Sequence, residues 1–305
     1  MSFLVTGGAG FIGSHLVEAL LAGKESVVVI DDFSMGKEEN LAKCDKRLKI
    51  YNARCSEIPK IRGLENIEHV FHLGMPSSSP LYEQNPSLKA QSLREFRILL
   101  EFSRKNDAGL TLASTSSLYG GNPTPHREDM AIRPFDEYTR TKFTMEKMLA
   151  EACGKYGISG AALRLFSVYG PREEHKGRYA NLVSQFIWEM SAGRRPVVYG
   201  NGTQSRDFTY VYDVVNAFIL TVSFNGCGTF NVGTGTRTSI NDLVRLINGA
   251  LKTNIRPKNI PNPIENYVVC TLADTDKSKE ALGFEAKTGV ISGIGNFLGG
   301  GDKRQ

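Results

Sequence analysis

Short apolar runs alternate with longer amphipathic stretches over the first two-thirds of the chain. Runs at 3–6, 26–30, 48–52, 69–73, 110–114 and 161–166 are strand-length and dense in Val, Ile, Leu and Phe. Between them, stretches such as 15–22, 93–105 and 138–156 space their apolar residues as a helix does. Strands buried on both faces read as continuous apolar runs, and parallel strands need crossover helices. The alternation therefore predicts an α/β fold with a doubly wound parallel sheet. The last third is less regular. Thr238 and Ser239 form a helix-start signal before Ile240, Leu243, Val244 and Ile247, which share one helical face. Residues 257–263, rich in Pro and Asn, read as a loop, and the glycine-rich 299–305 as a mobile tail.

Chemistry enters at the first strand-to-helix turn. Gly7, Gly10 and Gly13 fall directly after the first strand with GxxGxxG spacing. Glycine suits a turn where a pyrophosphate must approach backbone N–H groups at a helix N-terminus, and Gly13 lets the helix pack closely on the sheet. Three glycines alone also fit an ordinary tight turn. The second strand, however, runs into Asp31, followed by Asp32. A carboxylate there can accept hydrogen bonds from both hydroxyls of an adenosine ribose and would repel a 2′-phosphate, which favours NAD over NADP.

Tyr138 and Lys142 stand four apart in a helical stretch, on a face that continues as Met145, Leu149 and Cys153. A lysine on a buried stripe is costly without a purpose. Its ammonium would favour tyrosinate and make Tyr138 a usable base. A core tyrosine beside a snorkelling lysine fits the spacing equally well. Upstream, the fifth strand ends in Ala113-Ser114-Thr115-Ser116-Ser117. Active sites of open α/β sheets lie at such carboxyl ends, and a hydroxyl there could share a substrate proton with Tyr138.

Composition narrows the setting. The 305 residues carry 37 Lys+Arg against 32 Asp+Glu, a net charge of +5. Basic residues are dispersed without an arginine-rich stripe or stacking aromatics, so nucleic acid is not an expected partner. No apolar run reaches the roughly 18 residues of a membrane span, and no membrane partner is expected. The start at Phe3-Leu4-Val5 shows no secretory pattern. Five cysteines (Cys44, Cys55, Cys153, Cys227, Cys270) are scattered and form no CxxC, which predicts no metal site and a reducing cytoplasm.

Together these residues resemble the extended short-chain dehydrogenase/reductase family, particularly its nucleotide-sugar epimerases. TGGAGFIGSH at 6–15, the Tyr138–Lys142 pair, LRLFSVYGPR at 163–172, SRDFTYVYDV at 205–214 and FNVGTGTRTSINDL at 230–243 follow the family's order and approximate spacing. The resemblance implies an NAD-binding Rossmann domain over 1–167, with 207–236 packing back on it. A smaller, mixed α/β nucleotide-sugar domain would comprise 168–206 and 237–305. It implies that Tyr138 takes the proton of the sugar C4 hydroxyl, assisted by Thr115, and that Lys142 holds the nicotinamide ribose. Beyond Gly7, Gly10, Gly13 and Asp31, it assigns NAD contacts to Phe11, Ile12, Asp32, Ser34, Gly36, Asn52, Ala53, Leu73, Gly74, Met75 and Ser92, with Tyr138 and Lys142. It places Ser77, Thr115, Ser116, Ser167, Asn181, Leu182 and Arg206 on a UDP-sugar, Arg206 at the diphosphate. A homodimer through the 93–105 and 138–156 helices is implied too.

The family's dehydratases carry acidic residues after the position of Thr115, and its decarboxylases a Glu two residues before the Tyr-Gly. Here Ser116 and Ser117 stand there. The expectation is C4 epimerisation of a UDP-hexose through a transient 4-keto sugar. A 4,6-dehydratase or C4-reductase, or a catalytically silent NAD-binding regulator, is the alternative. Three departures bear on the substrate: Ser167 and Ser92 replace the family's usual Asn, and residues 263–267 lack its second diphosphate arginine.

Overall fold

The computed structural model describes residues 1–41, 45–262 and 268–299. The expectations for 263–267, for Cys44 and for the tail beyond 299 fall wholly or largely outside the described residues. The N-terminal half runs β1 (Ser2–Thr6), α1 (Phe11–Ala22), β2 (Ser26–Asp31), β3 (Leu48–Asn52), β4 (His69–His72), α2 (Ser79–Gln84), α3 (Ser87–Asn106), β5 (Gly109–Thr115), α4 (Glu137–Tyr156) and β6 (Gly160–Leu165). The remainder runs β7 (Val168–Tyr169), α5 (Leu182–Ser191), β8 (Val197–Tyr199), β9 (Ser205–Arg206), β10 (Thr209–Tyr210), α6 (Val211–Leu220), β11 (Cys227–Val232), β12 (Thr238–Ser239), α7 (Ile240–Leu251), β13 (Lys258–Ile260), α8 (Asp276–Leu282) and α9 (Val290–Leu298).

Seven parallel strands form one sheet in the order β11-β6-β5-β4-β1-β2-β3. The order reverses at β1, so the crevice at the carboxyl ends of β1 and β4 is the topological switch point where such sheets bind ligands. The inner strands β1, β2, β4, β5 and β6 are buried on both faces. One face packs α1 and α6, with Leu16, Val17, Leu20, Val214 and Phe218 in its core. The other packs α3 and α4, with Phe96, Leu99, Met145 and Leu149. A third core joins α5, α7 and α9 through Phe186, Ile187, Leu243 and Ile247, and underlies a smaller lobe.

Helix ends follow the local chemistry. Asp136 caps α4 by accepting from the Thr139 N–H at 2.7 Å, and Gly157 ends it in the left-handed region at φ 72°. Ser239 caps α7, accepting from Asp242 N–H at 3.0 Å. One expectation fails: 257–263 is not all loop. Lys258–Ile260 forms β13, parallel to β8, because Lys258 and Asn259 are solvated on a short edge where polar side chains cost nothing.

Candidate active site

The turn after β1 is shaped by its glycines. Gly7 sits at φ 70°, and a Cβ on it would lie 2.6 Å from the backbone of Gly74. A Cβ on Gly13 would run into the Gly7 carbonyl oxygen. Gly10 is the N-cap of α1 and offers no side chain to its first amides. Those amides lie where Gly10, Phe11, Ile12 and Gly13 line a cleft of about 510 Å³, which gives an anion a set of uncapped donors.

Asp31 closes the next part of the cleft. Its two carboxylate oxygens accept from the Ala9 and Phe33 N–H groups, each at 2.9 Å. Burial pushes its pKa up, against the pull of those two amides. Each oxygen keeps a further lone pair for a ribose hydroxyl. Asp32 accepts from the Ser34 N–H at 3.0 Å and pairs with Arg54 at 3.2 Å. Across the crevice, the Thr6 hydroxyl meets His72 Nδ1 at 2.7 Å and accepts from the Gly74 N–H at 3.2 Å. That pair fixes the Leu73–Gly74–Met75 turn against the glycine turn. Uncapped amides, a cleft-lining carboxylate with lone pairs to spare and a close-packed turn suit a dinucleotide.

Tyr138, Lys142 and Thr115 meet at the far wall. Lys142 is 3% exposed and donates to the Ala113 carbonyl. Its Nζ stands 5.9 Å from the Tyr138 ring centre. Burial pulls the Lys142 ammonium down to about 7, although Glu146 one turn away opposes it. Burial also pushes the Tyr138 phenol well above its ordinary value, tempered by its hydrogen bond with Thr115. Desolvation disfavours the charged form of both groups and outweighs the lysine's effect on the phenol in the unliganded cleft. Thr115 also caps the following turn, accepting from the Ser117 N–H at 3.1 Å.

Most of the anticipated residues line this one cleft: Gly7, Gly10, Phe11, Ile12, Gly13, Asp31, Asp32, Ser34, Gly36, Ala53, Leu73, Gly74, Met75, Ser77, Ser92, Thr115, Tyr138, Lys142 and Asn181. Five anticipated residues do not line it. Asn52 is exposed, since side chains alternate at the end of β3 and Ala53 takes the inner position. Ser116 is half-buried in the 3₁₀ turn Ser116–Tyr119. Ser167 has φ 31°, and its carbonyl accepts from the Thr209 N–H at 3.3 Å. Leu182 opens α5 behind its cap Asn181, whose side chain accepts from Val183 N–H at 3.0 Å. Arg206 donates to the Ser205 and Val269 carbonyls at 2.8 and 3.2 Å. The neighbouring Asp207 accepts from Thr234, Gly235 and Ala273 N–H groups.

Sequence reading missed Arg54, Cys55, Gln91, Glu95, Glu173, His175, Lys176 and Tyr179, which also line the cleft. Lys176 lies over the Phe11 ring at 4.8 Å and pairs with Glu173 at 3.1 Å, bringing the smaller lobe to the glycine turn. No local spacing marks these residues.

Known proteins are similar to this chain over nearly its whole length. A putative UDP-glucose 4-epimerase of Methanocaldococcus jannaschii is 31% identical over 95% of both chains. UDP-glucuronic acid decarboxylase 3 of Arabidopsis thaliana is 30% identical, covering 96% of this chain and 87% of that protein. The structure of the Thermotoga maritima UDP-glucose 4-epimerase with UDP-glucose superposes with a TM-score of 0.92 at 32% identity, covering 98% of each chain. The family model for NAD dependent epimerases and dehydratases matches residues 3–233, from the first strand through the last strand of the sheet. This chain belongs to the NAD-dependent epimerase/dehydratase family, and its cofactor is NAD.

Proposed function

We propose that the protein epimerises C4 of a UDP-hexose, UDP-glucose or UDP-galactose, through a transient 4-keto sugar. One observation carries this reading. Tyr138, Thr115 and Lys142 converge at the cofactor cleft, while serines occupy 116 and 117. Among the described residues, the carboxylates lining the cleft are Asp31, Asp32, Glu95 and Glu173. Asp31, Asp32 and Glu95 belong to the ribose end, and Glu173 is held by Asn181 N–H, Ser184 and Lys176. That leaves Tyr138 as the proton carrier near C4, with no carboxylate poised for loss of water.

When bound, NAD supplies a hydride acceptor that later gives the same hydride back. The chain's part is proton traffic and position. Tyr138 Oη takes the C4 hydroxyl proton as C4 is oxidised and returns it after the ketone has turned its other face. Thr115 bridges the sugar hydroxyl and the phenol. Lys142, anchored on the Ala113 carbonyl, orients the cofactor ribose, and its ammonium favours the tyrosinate. We further read the protein as a cytoplasmic homodimer. The four described cysteines are free, and α3 packs beside α4 as a two-helix face.

Incubation with UDP-galactose and chromatography of the products tests the activity. UDP-glucose should accumulate with no net NADH. A 4-keto-6-deoxy sugar, or carbon dioxide from UDP-glucuronate, would instead identify a dehydratase or a decarboxylase. Tyr138→Phe should lower kcat about 10²–10⁴-fold, the usual worth of a positioned acid–base, while NAD binding persists.

A further inference from the structure

The cofactor cleft continues past Asp31 into a recess that the proposed sugar chemistry does not use. Its walls are Ile30, Ala53, Arg54 and Cys55 from the ends of β2 and β3, and Gln91 and Glu95 from α3. A dinucleotide with its pyrophosphate on the glycine turn and its ribose on Asp31 must put its base here, since the base leaves the ribose on the side away from the phosphates. Ile30, Ala53 and Cys55 give it an apolar side against which a purine can lie. Its polar groups are unequal. Asp32 is taken by Ser34 and Arg54. Arg54 is exposed and presents a guanidinium plane.

Glu95 differs from both. It is 7% exposed, yet it lines the cleft. Its protein donor is the Gln91 side-chain amide, long at 3.3 Å. It stands close enough to Cys55, Arg54 and Asp32 for their charges and its own to act on one another. Burial pushes its carboxyl up, tempered by the Gln91 amide. An adenine in the recess brings a second donor, its exocyclic amine.

We propose that Glu95 is the base-reading residue of the cofactor site, its carboxylate accepting a hydrogen bond from the exocyclic amine of adenine. This rests on NAD occupying the cleft and is independent of which sugar is turned over. Purines without an amine at that position leave the buried carboxylate with the long Gln91 contact alone and are discriminated against.

The test is calorimetric, with no sugar present and any copurified dinucleotide removed. NAD is compared with its purine analogue, in which hydrogen replaces the exocyclic amine. Wild type should bind the analogue about 10–100-fold more weakly, the worth of one hydrogen bond to a charged group. Glu95→Gln, which keeps an acceptor oxygen, should retain most of that preference. Glu95→Ala and the similar-sized Glu95→Leu should bring the two ligands within about threefold of each other. Melting curves without ligand establish that each variant is folded, and Glu95→Leu stands in if the alanine variant is not. A wild-type protein indifferent to the amine would overturn the proposal. So would an unchanged preference in Glu95→Leu. Loss of epimerisation with the preference intact would count only against the sugar chemistry.

Discussion

A single ammonium shows what this cleft does to charge. Lys142 loses nearly all its water, and the Ala113 carbonyl and Glu146, one turn away, return only part of that solvation. Its folded pKa near 7 lies below the ordinary 10.5, so between those values the unfolded chain holds a proton that the folded one lacks. The stability this contributes is complete above about 10.5 and is lost as the pH falls toward 7. Cofactor-free protein should therefore melt at a rising temperature from pH 7 to 10. Lys142→Met should flatten that rise, which parallel melts across the range would show. Residues of this kind were readable in the sequence because helical spacing joins them: four positions separate Tyr138 from Lys142. The glycines were readable because backbone crowding admits nothing larger. Glu95 and Lys176 were not. Each is one charged residue among many on its own segment, and only the packing of α3 and of the 174–179 turn brings them to the cleft.

The helix α4 works as a single part. Tyr138 and Lys142 face the cleft, and Glu146, one turn on, receives both forks of Arg164 from β6 at 2.7 and 3.0 Å. The pair is 4–5% exposed, and it extends through Ser114 and through Tyr119 to Asn231 on β11. Buried pairs add little net stability, yet breaking one strands the other charge. Arg164→Met alone should cost about 3–5 kcal/mol in urea unfolding. Replacing both partners, Arg164→Met with Glu146→Leu, should recover much of that loss. The same double variant should lower kcat by letting α4 shift against β5. Apart from β11, which begins exposed at Cys227, the strands of the main sheet were legible as short runs dense in apolar residues. The short β13 was not, since its pairing depends on β8 and its own residues, Lys258 and Asn259, face solvent.

At the scale of the molecule, the cleft is lined both by the sheet's carboxyl edge and by residues 173–181 of the smaller lobe. A dinucleotide that touches both binds only the folded, closed arrangement. Saturation at about a hundred times Kd should add ~2.7 kcal/mol and raise the Tm by roughly 5 °C. A scanning melt with and without NAD reads this directly, and NADP should give a smaller shift because Asp31 repels the 2′-phosphate. The net charge of +5 aids encounter with polyanionic ligands at low salt and does no more.

The strand β11 has a consequence for the life of the chain before it is folded. Its partner β6 ends at Leu165, whereas β11 begins at Cys227, about sixty residues later on the ribosome. At 5–20 residues per second, the apolar edge Ala161–Leu165 waits several seconds for the strand that covers it. During that interval the nascent sheet offers an open ladder of N–H and C=O groups to any neighbour. A chaperone that shields this edge, or slower growth in the cold, would govern the yield of intact enzyme more than the stability of the finished fold does.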